Sequence, residues 1–120
     1  MLEHSQIARL LDIANAGCRK GMVHEARIIY EKVLVMMPGH APARIGLAMS
    51  YIAVDDFSTA ETMLRELLAE NSDDAEASVM LGFCLLLAGR KDEAREILVP
   101  LAETEGPGAA LAASLLPQLD

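Results

Sequence analysis

The sequence predicts an all-α fold of three helix-turn-helix repeats, followed by a C-terminal capping helix, and three observations predict it. Apolar residues recur at steps of three and four, the spacing of one helical face, and not at the step of two that a strand needs. The triplets His24-Glu25-Ala26, Ser58-Thr59-Ala60 and Asp92-Glu93-Ala94 stand at equal intervals of 34 residues, without insertion or deletion. Self-similarity at such a period marks stacked supersecondary units. Finally, each unit is interrupted near its middle, at Gly21, Asp55-Asp56 and Gly89.

The elements follow in order, with helices expected at about residues 3–20, 24–37, 41–54, 57–70, 75–88 and 91–104. The first, third and fifth carry a large aliphatic residue followed by a small one: Ile13-Ala14, Leu47-Ala48 and Leu81-Gly82. The second, fourth and sixth carry Ala26, Ala60 and Ala94, with Tyr30, Leu64 and Leu98 four residues later and Val33, Leu67 and Leu101 beyond. Small residues opposed across two helices let the backbones approach, while the large neighbours fill grooves between hairpins. Pro42 suits the first turn of the third helix. Ser58 with Glu61, and Asp73 with Glu76, have the spacing of capping boxes at the fourth and fifth. Gly106-Pro107-Gly108 then breaks the chain, and AALAASLLPQLD is too apolar for a solvated tail. It is expected to cap the last hairpin, since the ends of a solenoid must be closed.

The chain is expected to be a single domain over 1–120, with repeats at about 7–40, 41–74 and 75–108 and a cap at 109–120. Half of its residues are hydrophobic (52%), enough to form a core. A formal charge of −8 argues against a phosphate-binding surface and against anionic lipid, so neither nucleic acid nor membrane is an expected partner. The opening MLEHSQIARLLDIANAG lacks the basic and then apolar regions of a signal peptide, and no apolar run is long enough to span a bilayer. A cytoplasmic protein is expected. Cys18 and Cys84 lack the spacing of a metal or disulfide framework and read as buried thiols. His4, His24 and His40 lie on separate elements, so no metal is expected. Paired acids Asp55-Asp56 and Asp73-Asp74 fall at turns, where carboxylates cap helices and do no acid-base chemistry. No phosphate-binding loop or nucleophile motif is present; neither a cofactor nor an enzymatic activity is expected.

These repeats resemble the tetratricopeptide repeat over about residues 7 to 108. Pro38 stands where that repeat usually closes, but Ser72 and Gly106 hold the two later sites, and Asp55 replaces the inter-helix glycine of the middle repeat. The resemblance implies a right-handed superhelix that binds proteins. The opening LLDIANAGCRKGMVHEARIIYEKVLVMMPGHAPARIGLA is similar, more narrowly, to the repeat-containing chaperone of the type III secretion needle subunit. That likeness implies two partners: an amphipathic helix of the needle subunit, cupped in a concave groove, and a small helical co-chaperone on the first repeat. A scaffold or adaptor module of another assembly complex is the alternative.

In such hairpins the first helix of each repeat lines the concave side. The wheel then places Leu11, Asn15 and Cys18 from the first repeat, Ile45, Met49 and Ile52 from the second, and Val79, Phe83 and Leu86 from the third on the expected partner-binding groove. An apolar stripe at helical spacing is also what a core needs, so each of the nine could equally face inward. As a set they favour a groove that takes an amphipathic helix, to which Met49 adds an adaptable contact. Phe83 stands apart, because Tyr30, Tyr51 and Phe57 fall where the repeat itself expects an aromatic. A carboxylate clamp is not expected: Asn15, Arg19 and Arg44 would need a cation from the third repeat, which offers Glu76 and Val79.

Overall fold

The computed structural model describes residues 3–119, and these are helical throughout apart from turns. The helices are α1 (His4–Arg19), α2 (Val23–Met36), α3 (Ala41–Ile52), α4 (Phe57–Glu70), α5 (Ala75–Leu87), α6 (Lys91–Ala102) and α7 (Pro107–Leu115), with a 3₁₀ turn, Leu116–Leu119, at the end. The six helices that the period calls for appear in order, α1 with α2 and α5 with α6 as packed hairpins, and a seventh follows them. The chain divides into two compact units, Met1–Asp56 and Phe57–Asp120, with the division at the turn inside the second repeat.

In the first unit α1 packs on α2, and α2 and α1 both pack on α3. The core holds Ile7, Leu11, Ala14, Cys18, Ala26, Tyr30, Val33 and Ala43. Ala14 and Ala26 are nearly inaccessible, as helices crossing at small residues demand. Gly46 lies against the ring of Tyr30, where a Cβ would overlap the ring carbons. The Tyr30 hydroxyl donates to Asn15 Oδ1, which gives a fully buried phenol its hydrogen bond. Arg27 ties α2 to α3: its Nε donates to Ser50 Oγ at 3.0 Å, its Nη2 to the Ser50 carbonyl at 3.2 Å, and its guanidinium lies 4.0 Å from the Tyr51 ring centroid.

In the second unit α4 packs on α5, α5 on α6, and α7 on both α5 and α6. Ala60 and Ala94 have no exposed surface, and Gly82 lies so close to Leu98 that a Cβ would fall 2.5 Å from Cδ2. Glu61 on α4 accepts from Arg65 Nε at 2.8 Å and from Arg90 Nη2 at 3.2 Å. The cap is seated at both ends. A Cβ on Gly108 would fall 2.9 Å from that of Ala75, and Arg95 Nη2 donates to the Leu119 carbonyl at 3.0 Å.

Local punctuation departs from expectation in informative places. Asp55 adopts φ of 61°, the left-handed conformation that Gly21 (85°) and Gly89 (83°) adopt one period away on either side. The N-cap of α5 is Asp74, whose Oδ1 accepts from Ala77 N at 3.0 Å; Asp73, expected in that role, stands one residue earlier, in the preceding turn. Ser58 is within α4 and not its cap, and Glu61 turns to Arg65 and Arg90 instead of back to the helix start. A capping box unanticipated from the sequence opens α1, where Gln6 Oε1 accepts from Glu3 N at 2.8 Å. Ile13, expected to fill a groove between hairpins, is instead 54% exposed.

Candidate functional site

The nine residues assigned to the groove separate by burial. Leu11, Cys18, Ile45, Ile52 and Val79 are all buried, so in this structure their side chains belong to the core. Asn15, Met49, Phe83 and Leu86 are half-buried and keep accessible surface. Asn15 is committed on one side, since its amide oxygen receives the Tyr30 hydroxyl. The apolar remainder is Met49 on α3 and Phe83 with Leu86 on α5.

The sequence of α5, AEASVMLGFCLLL, explains why surface remains on it. Ala77, Val79, Leu81, Cys84 and Leu85 are buried, and this already uses the faces toward its neighbours. Phe83 and Leu86 have apolar side chains left over, and Leu87 is 47% exposed. A helix apolar all round is ordinarily enclosed; this one is open on part of its circumference.

Two of the depressions among the described residues lie in the first unit. One, of about 430 Å³, is bordered by Ile7, Leu11, Asp12, Asn15, His4 and His40. The fold thus brings together two histidines that the sequence places on separate elements. The other, of about 390 Å³, lies on the outer side of α1 and α2 between Ile13, Gly17, Met22 and Ile29, with Lys20 and Glu25 at its rim. This second surface escaped the helical-wheel reading, although the repeats carried a signal for it. Met22 stands where the later repeats have Asp56 and Arg90, and Met36 where they have Glu70 and Thr104. Met22 and Met36 are 51% and 46% exposed.

The ionisable groups are arranged for structure. Burial pushes the Tyr30 phenol well above its ordinary range, so it stays protonated. Burial, with help from nearby Glu61, also raises the Cys84 thiol, the opposite of what a nucleophilic cysteine needs. Hydrogen bonds from Arg90 and then Arg65 hold Glu61 below the usual carboxylate range. Among the described residues no group of three or more His, Cys, Asp or Glu side chains could hold a metal ion. No helix among them is long and apolar enough to cross a membrane.

Hairpins of 34-residue period, with small residues at the crossings and apolar faces left open, define a helical-repeat protein. The chain belongs to the tetratricopeptide-repeat family, whose profile matches residues 19–76 and 51–119. It is 29% identical over 100 residues to the human tetratricopeptide repeat protein 7B; the match covers 83% of this chain and 12% of that much longer protein. Its fold is similar to that of SycD, the type III secretion translocator chaperone of Yersinia enterocolitica, with a TM-score of 0.72 and 15% identity over 98% of this chain and 86% of the other.

Proposed function

We propose that this chain is a non-enzymatic, cytoplasmic, protein-binding chaperone. It holds an amphipathic helix of a type III secretion needle subunit on the open faces of the repeats' first helices, keeping that subunit monomeric. A small helical co-chaperone acts with it on the first repeat. The observation that carries the reading is α5, which fills its packed sides with apolar residues and still leaves Phe83 and Leu86 accessible. Exposed apolar surface of this kind is what a helical ligand's apolar side would cover. The likeness in fold to a secretion chaperone supports the same assignment.

Purification of the protein from its native host, with identification of what accompanies it, tests the partner. The α5 surface is tested by Phe83→Glu, which would bury an unpaired carboxylate against the ligand helix. A loss of about 2–4 kcal/mol, or roughly thirty- to a thousand-fold in affinity, is expected with the helical circular-dichroism spectrum retained. Full binding by a folded Phe83→Glu protein would remove the proposal. A scaffold role in another assembly is the second reading, favoured by the match to a long tetratricopeptide-repeat protein. A folded, globular partner in place of an aggregation-prone subunit would decide for it.

A further inference from the structure

Three unbranched or aliphatic side chains stand seven residues apart along α2: Met22 at its N-cap, Ile29 in its middle and Met36 at its last position. That spacing sets them on one side of the helix, the side that borders the hollow of about 390 Å³ through Met22 and Ile29. The middle position is apolar in every repeat, as Ile29, Met63 and Ile97. The ends are not. Asp56 and Arg90 take the place of Met22, and Glu70 and Thr104 the place of Met36. The fold therefore needs an apolar side chain at the centre of the row and accepts polar or charged ones at both ends.

Thioethers at those ends are open to solvent. Among the described methionines only Met22 and Met36 are exposed; Met37 and Met49 pack against the core of the first unit, and Met63 and Met80 are half-buried. Both cysteines, whose thiolates would otherwise consume a peroxide, are buried. An oxidant arriving from solvent thus meets Met22 and Met36 first. It meets them where the hairpin does not depend on their staying apolar, so a change of polarity there alters the surface and not the core.

We infer that Met22 and Met36 are paired oxidation sites, at which a peroxide turns the outer side of α1 and α2 from apolar to polar while the hairpin stays folded. At each, the sulfur lone pair attacks one oxygen of hydrogen peroxide, and an S–O bond forms as the O–O bond breaks. The departing hydroxide takes the proton from the oxygen that sulfur has gained and leaves as water. Sulfur loses two electrons and the peroxide gains them. A thiol-dependent sulfoxide reductase restores the thioether: two thiols become a disulfide and the oxygen leaves as water. The sulfoxide oxygen is a strong acceptor, which an apolar partner would strip of water with nothing offered in return. The inference rests on the proposed function in taking the first repeat as a docking surface, where oxidation and docking exclude each other.

The test treats the full chain with hydrogen peroxide and follows each methionine by fragmentation mass spectrometry of its peptides. Met22 and Met36 are expected to oxidise at least about fivefold faster than the four half-buried methionines, with helicity and melting temperature retained. Nile red, an uncharged apolar dye, reads the surface, and its affinity should fall at least about threefold on oxidation. A chain carrying Met22→Leu and Met36→Leu should keep its dye affinity through the same treatment. One carrying Met22→Gln and Met36→Gln should show the reduced affinity without peroxide, and it serves as the second arm should the leucine pair fail to fold. No partner enters these measurements, so a failed co-chaperone assignment leaves them unaffected. Equal oxidation rates at all six methionines, unfolding in step with sulfoxide formation at Met22 and Met36, or a dye affinity unmoved by oxidation overturns the inference.

Discussion

A methyl group added at Gly46 or at Gly82 would overlap the Tyr30 ring or the Leu98 side chain, so both glycines are set by close packing. Gly46→Ala and Gly82→Ala are each expected to cost about 1–3 kcal/mol in urea unfolding, as overpacking does. Ala60→Phe, at a helix crossing with no exposed surface, should cost at least as much. The repeat alignment made Gly82 and the alanines legible as crossing residues. The distinction between Val79 and Phe83 was not legible. They are four residues apart and share a face by periodicity, yet one is buried and the other half-open. The cap starts beside Ala75, nearer to Val79, and where a terminal element comes to rest is a tertiary outcome that no helical wheel contains.

At the scale of the helices, every expected segment formed, with boundaries displaced by a few residues at most, because periodicity and breaks were repeated three times over. Caps were harder. Between Asp73 and Asp74 the sequence offers two equivalent carboxylates, and only the backbone path into α5 decides that Asp74 reaches Ala77 N. Asp74→Ala should therefore lower stability by about 1 kcal/mol, with Asp73→Ala close to neutral, as judged by thermal melts of the two variants. At the turn before α4, Asp55 holds a left-handed conformation in which glycine carries no Cβ penalty. Replacement by glycine there should raise stability by about 0.5–1 kcal/mol; a lowered melting temperature for Asp55→Gly would show that the aspartate side chain contributes more than its conformation costs.

Over the whole molecule, stability should depend on pH at two limits. Glu61, whose pKa is lowered from 4.5 by Arg90 and Arg65, binds its proton less readily in the folded state than in the unfolded state. Its contribution is present above the unfolded value and is lost as pH falls through the folded one. Tyr30 has the opposite sign in proton binding: folding raises its pKa, so stability holds below the ordinary phenol value of 10.0 and declines as pH rises past it. Melting temperatures of Glu61→Gln and Tyr30→Phe, measured across pH, should flatten the acid and the alkaline limb respectively. The effect of Glu61 should be under about 1 kcal/mol and shrink with salt, since its arginine partners are largely exposed. The period made the fold legible, but the open outer side of the first hairpin emerged only when the residue types were compared between repeats: the difference between Met22 and Arg90 carries it.

The three positions 27, 61 and 95, one period apart, bear on how such a chain avoids joining itself wrongly. Near-identical modules can collapse in the wrong order, and repeat proteins are prone to such misassembly. Here each junction has a different lock. Arg27 donates to the hydroxyl and carbonyl of Ser50, Glu61 accepts from Arg90, and Arg95 donates to the carbonyl of Leu119. Exchanged neighbours would set arginine against arginine, or leave Glu61 facing a bare carbonyl. The hydrophobic code is shared among the modules, whereas their polar residues at these positions are individual, and they bias the chain toward one order of stacking.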